Sequence, residues 1–218
     1  MDAKDPTEPL AAADLPPGER VRDPALLIVD MQNDFVRVGA PLEVPDARET
    51  VAPIRRLLDA FRTHRRAVVF TRFIVNETPD LLWLWSPQCW PDTKCCWRGH
   101  TRSYPDADGP LDCAAVIAEL APHPDEIVID KAAYGAFHGT QLDPLLRSRG
   151  VQSLLVTGTV TQICVEETAR EAFHHGFRTT LISDAVSSFA PDLHAATLKN
   201  FAMKFGWVTD SETVLSWI

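Results

Sequence analysis

The sequence predicts an α/β fold: a three-layer α/β/α, Rossmann-like, doubly wound parallel sheet of about six strands, a class whose usual strand order, 3-2-1-4-5-6, is then expected. Two observations carry this prediction. Short apolar runs are continuous instead of alternating, as in strands buried on both faces. They are also separated by amphipathic segments of helical period, the rhythm of a parallel sheet wrapped by helices.

The elements follow in order. The first 20 residues hold four prolines and five acidic residues without apolar periodicity, so residues 1–20 read as an extended arm and 21–218 as one domain. The expected strands are ALLIVD (25–30), RAVVFTRF (66–73), EIVID (126–130), SLLVTG (153–158), RTTLIS (178–183) and the weaker GWVTD (206–210). Helices are expected near 47–63, 112–121, 139–149, 162–175 and 191–204, with a short last one from 211. Residues 74–111 break the rhythm. A connection of that length reads as a lid or binding insert, and it holds Trp83, Trp85, Trp90 and Trp97.

Composition narrows the function. At 218 residues, 45% hydrophobic and 23% charged, the chain has the balance of an ordinary globular domain. A net charge of −9 disfavours nucleic acid and anionic membranes and points to a small-molecule partner. No apolar run reaches membrane-spanning length, and the first residues lack a signal peptide's apolar core, so a cytoplasmic location is expected. Five cysteines, odd in number and unevenly spaced, read as free thiols.

Ligands of open parallel sheets bind beyond the carboxyl ends of the strands. There the sequence places Asp30, then Asp130 with Lys131, and Cys164 in the first turn of a helix. A helix N-terminus and a lysine both favour thiolate over thiol, which predicts that near neutral pH Cys164 is alkylated fastest, ahead of Cys95 and Cys96. A carboxylate beside them can shuttle the proton, and free backbone N–H groups can hold an oxyanion. Thr161 suits the N-cap. By residue type alone, a lone cysteine is more often core filler and Lys131 more often a surface charge, while Asp30 is as readily a helix cap as a catalytic acid.

VDMQNDF (29–35), DKAAYGAFHGTQLDPLLRSRG (130–150) and GTVTQICVEETAREA (158–172) resemble, in order and spacing, the three signature blocks of the isochorismatase-like cysteine hydrolases. That family includes nicotinamidases, N-carbamoylsarcosine amidases, biuret and ureidoacrylate hydrolases and maleamate amidases. The resemblance implies Asp30, Lys131 and Cys164 as catalytic residues. It also implies a cis peptide between Thr159 and Val160, and an oxyanion hole from the N–H groups of Val160 and Cys164. The implied reaction is hydrolysis of a C–N bond in a small amide, carbamoyl or ureido compound through a thioester. A vinyl ether hydrolase and a non-catalytic ligand-binding or redox protein are the alternatives.

Departures from the family pattern are informative. Metal-dependent nicotinamidases of the family carry D-x-H after the second strand, where this chain reads FTRFIVNETPD, so neither metal nor cofactor is implied. Gly135 stands where many ureide and biuret hydrolases have serine. Substrate-binding candidates are Arg72, Phe35, Tyr134, Phe137, Trp83 and Trp85. Arg72 has a structural ion pair, and the tryptophans an oligomer interface, as the competing role. Cys89, Cys95, Cys96 and His100 lack the paired spacing of a structural zinc site. His174 and His175 read as helix C-terminal charges, and Asp184 as a structural carboxylate. The family pattern further implies a homo-oligomer, dimer or tetramer.

Overall fold

The computed structural model describes residues 15–75 and 93–218. Most of the expected arm lies outside the described residues, as do Trp83, Trp85, Trp90 and Cys89 of the insert; the arm's last residues form a short helix, Pro17–Arg20. Six strands make one parallel sheet: β1 (Pro24–Val29), β2 (Ala67–Phe73), β5 (Ile127–Lys131), β6 (Ser153–Thr159), β7 (Arg178–Ser187) and β8 (Trp207–Thr209). Their spatial order is β5-β2-β1-β6-β7-β8, which is 3-2-1-4-5-6 in order of occurrence. The chain therefore reverses its winding between β1 and β6, and the crevice at such a switch point is where ligands of this fold bind.

Alternation along β1 explains its unbroken apolar sequence. Leu26 and Ile28 face one core with Ile54, Leu57 and Phe61 of the Ala47–Thr63 helix. Ala25, Leu27 and Val29 face the other, where Leu146, Ala169 and Phe201 come from helices Leu142–Ser148, Glu166–His174 and Pro191–Lys204. A strand covered on both faces leaves no position for a polar side chain until it ends. Among the described residues no helix is long and apolar enough to cross a membrane.

The helix expected near 112–121 does not form. In its place are β4 (Pro110–Asp112), paired antiparallel with β3 (Thr101–Ser103), and a single 3-10 turn at Ala118–Leu120. The carbonyls a helix would use internally are taken by other partners. Asn33 N–H donates to Ala115 O, Asp34 N–H to Cys113 O and the Gln32 amide to Ala114 O. Tertiary hydrogen bonds outweigh an amphipathic pattern that in isolation is only marginally helical.

One ion pair ties the long helix to the sheet edge. Arg62 donates twice to Glu126 at 2.8 Å, and Glu126 also accepts the His123 N–H at 2.7 Å. Burial raises the Glu126 carboxyl, but Arg62 and His123 outweigh it and hold it below its ordinary 4.5. A carboxyl depressed on folding adds stability that is complete above its unfolded pKa and is lost as pH falls through the folded one. Acidification below about pH 4.5 is therefore expected to lower Tm more steeply in the wild type than in Glu126→Gln. Equal slopes in thermal melts would refute this contribution.

Candidate active site

Asp30 follows β1 directly. Its backbone turns into the left-handed region, φ +50°, which asparagine and aspartate tolerate better than other side chains. That turn aims a fully buried carboxylate across the strand ends. Asp30 N–H donates to Thr71 O at 3.2 Å, and the Thr71 hydroxyl donates to Asp30 Oδ1 at 2.6 Å. Lys131, the last residue of β5, brings Nζ to 2.8 Å from Asp30 Oδ2, with both side chains shut off from solvent. Nζ also donates to Ala133 O and Tyr134 O, and lies 5.3 Å from the centre of the Phe73 ring. Burial lowers the Lys131 pKa, but the Asp30 charge outweighs it and leaves it above 10.5, so the lysine is an ammonium at neutral pH.

Cys164 arrives from the other side of the switch point. β6 passes so close to β1 at Gly158 (φ +104°) that a Cβ there would run into the Val29 backbone. The peptide Thr159–Val160 is cis. A π-helical turn, Thr161–Val165, then precedes the Glu166–His174 helix, and Cys164 sits in that turn, 4% exposed. Turns of this kind are common at functional sites. Thr161 is not the N-cap; that position falls to Val160 without a side-chain cap. The Thr161 hydroxyl instead donates to Ser187 O at 2.9 Å, leaving it to accept from His194 Nδ1 at 2.9 Å. The next strand end therefore claims the hydroxyl before the helix can.

The electrostatics correct one expectation. Burial pushes the Cys164 thiol up to about 12, while Lys131 pulls it down and Asp30 pushes it up. At rest the cysteine is thus a thiol and the lysine an ammonium. The thiolate expected from a helix N-terminus and a lysine gives way to desolvation, which penalises the charged form more than one nearby cation favours it.

The polar residues after Asp30 have a different task. The Gln32 amide donates to Phe73 O and Ala114 O, and its carbonyl oxygen accepts from Phe73 N–H. Asn33 donates to Asp112 O. Asp34, fully buried, accepts from Cys96 N–H at 2.9 Å, Arg102 at 3.2 Å and the Tyr104 hydroxyl at 2.6 Å. The block QND thus fastens the described part of the insert to the site edge. Cys95, Cys96 and Asp34 present ligand atoms within 4.8 Å of one another, a set without His100.

A cavity of about 350 Å³ opens onto Cys164. Four aromatic residues, Phe35, Phe73, Tyr134 and Phe189, share its wall with the aliphatic Pro41, Leu42, Val160 and Ile163, and Glu43 is its one charged lining residue among the described residues. Phe73 and Tyr134 stack with centroids 6.0 Å apart. Expected positions thus found here are Phe35, Tyr134, Val160 and Cys164, with Asp30 and Lys131 directly behind the thiol.

Two substrate-binding candidates fall elsewhere. Arg72 forms a two-pronged pair with Asp130, at 2.7 and 3.0 Å, and Arg98 joins the same carboxylate at 2.6 Å. Side chains alternate along a strand, so Thr71 and Phe73 face the site and Arg72 faces away. Phe137 packs in the second core, stacked on His175 at 4.7 Å, because the chain beyond Tyr134 turns away from the cavity. Trp83 and Trp85 lie outside the described residues. A Cβ at Gly135 would collide with the Glu171 carboxylate, which accepts Phe137 N–H at 2.9 Å. Asp184 caps the final helix through Ser211, the structural role expected. Sequence reasoning missed Phe73, Pro41, Leu42, Glu43, Ile163 and Phe189. Only Phe73 left a signal, the period-2 phase set by Thr71.

The fold and site define a class: a doubly wound α/β protein with a buried Cys–Asp–Lys group at the switch point of its sheet. Residues 24–213 match the isochorismatase domain, and the chain belongs to that family. It is similar to the ureidoacrylate amidohydrolase RutB of Stutzerimonas stutzeri (strain A1501), 30% identical over 226 residues that cover 96% of this chain and 88% of the relative. Among solved structures it resembles a cysteine hydrolase from Pseudomonas syringae pv. phaseolicola 1448A, with TM-score 0.79, 28% identity and 93% of each chain covered. It also resembles N-carbamoylsarcosine amidase from Thermoplasma acidophilum, with TM-score 0.69, 29% identity, and 87% of this chain and 96% of that one covered.

Proposed function

We propose that the protein hydrolyses the C–N bond of a small amide, carbamoyl or ureido compound, with Cys164 as nucleophile. The observation that carries this reading is the buried thiol, carboxylate and ammonium group opening on a single-molecule cavity. The amidohydrolases and amidase that the chain resembles support it.

The substrate carbonyl carbon sits above Cys164 Sγ. As the S–C bond forms, the S–H proton passes to Asp30, because a thiol raised to about 12 must be deprotonated in the attack itself. The carbonyl π pair moves to oxygen, and the N–H groups of Val160 and Cys164 hold that oxyanion. On collapse the C–N bond breaks and ammonia or an amine leaves with the Asp30 proton. Water then attacks the thioester while Asp30 takes its proton, and the departing Cys164 sulfur recovers that proton as the acid is released. Lys131, 2.8 Å from Asp30 Oδ2, keeps that carboxyl oriented between these transfers.

Incubating the protein with small carboxamides and ureides should release ammonia, read by a coupled assay. Acid quenching during turnover should leave a mass increment equal to the acyl group on the peptide that contains Cys164. Turnover without any modification of that peptide in single-turnover quenches would sink the thioester.

A further inference from the structure

We infer that this site is built for an uncharged amide or ureide carrying an apolar or aromatic substituent, and that it excludes substrates bearing a free carboxylate. The inference rests on the amide-hydrolase reading and adds the substrate class. An apolar cavity of about 150 Å³ holds one benzene ring, so the 350 Å³ here takes an amide group together with a ring or a branched chain. Its wall beside Cys164 is aromatic and aliphatic: Phe35, Phe73, Tyr134 and Phe189 with Leu42 and Ile163.

An anionic substituent needs a cation or several hydrogen-bond donors when it leaves water. Among the described residues no cationic side chain lines the cavity, and the neighbouring cations are committed. Lys131 is held by Asp30, Arg72 and Arg98 by Asp130, and Arg48 by Glu43 at 2.9 Å. The charged lining residue is itself an acid, Glu43, fixed by the Gly39 N–H at 2.8 Å and by Arg48. A substrate carboxylate would meet rings and a like charge.

The test compares matched pairs that differ by a carboxylate: butyramide with succinamate, N-propylurea with 3-ureidopropanoate, and benzamide with 4-carbamoylbenzoate. Ammonia release by the wild-type protein should give kcat/KM at least about 100-fold higher for the neutral member. Phe189→Arg places a cation at a half-exposed point of the rim, 57% exposed, where folding is not at stake. It should narrow the ratio roughly tenfold by lowering KM for the anionic member. If an anionic member is cleaved within about threefold of its neutral partner, and Cys164→Ala abolishes that cleavage, this inference falls while the amide-hydrolase reading stands. If no member of either kind yields ammonia, the amide-hydrolase reading falls and takes the inference with it.

Discussion

Replacing Cys164 with alanine is expected to lower kcat for any amide the protein cleaves by at least about 10³-fold, with little loss of stability. The two effects separate because the thiol plays different parts in folding and in chemistry. In the fold it is one small buried side chain of the second core, and losing its sulfur costs roughly 1 kcal/mol. In the proposed reaction it is the atom that forms the new bond, and without it Asp30 and Lys131 have no proton to move. Parallel measurement of ammonia release and of the denaturation midpoint checks both halves. Retained activity in a folded Cys164→Ala protein would remove the nucleophile from the mechanism. The same resting state predicts that Cys164 of the free protein is alkylated slowly by iodoacetamide across the neutral range, since burial holds its thiol protonated.

The second large effect lies in the pair behind the thiol. Lys131→Met should destabilise the protein by about 3–5 kcal/mol, because it strands a carboxylate of zero exposure without its cation. Asp30→Asn does the converse, leaving a buried ammonium, and additionally removes the proposed base, for an expected loss of about 10²–10⁴-fold in rate. The double variant Asp30→Asn with Lys131→Met should be more stable than the sum of its parts predicts, since neither charge is left behind. Denaturant titration of the four proteins measures that coupling. Strict additivity would show that the two charges do not interact. The sign with pH is the opposite of an acid's: the raised Lys131 pKa makes the pair's contribution complete below about 10.5 and lost only as pH climbs beyond the folded value.

Much of the architecture was legible because it rests on local pattern. Continuous apolar runs marked all six sheet strands, and both faces of β1 are covered by side chains from opposite layers. The segment 112–121 failed for a reason no periodicity contains: its carbonyls are satisfied by Gln32, Asn33 and Asp34, about 80 residues earlier in the chain. At the site, Asp30, Lys131 and Cys164 announce themselves as chemical residue types at the ends of apolar runs. Arg72 announced itself in the same way and faces Asp130 instead, one residue out of phase with Thr71 and Phe73.

What the sequence alone determined is the set of reactive groups and the succession of strands and helices along the chain, because both depend on residue type and on hydrophobic period. The protonation of that set was decided by tertiary structure. A thiol at a helix start reads as reactive until its surroundings are known, and only the packing of four strand ends around it makes desolvation the larger force. The cavity was decided there too, since Leu42, Glu43, Phe73 and Phe189 come from separate segments that only the folded sheet brings within reach of one sulfur atom.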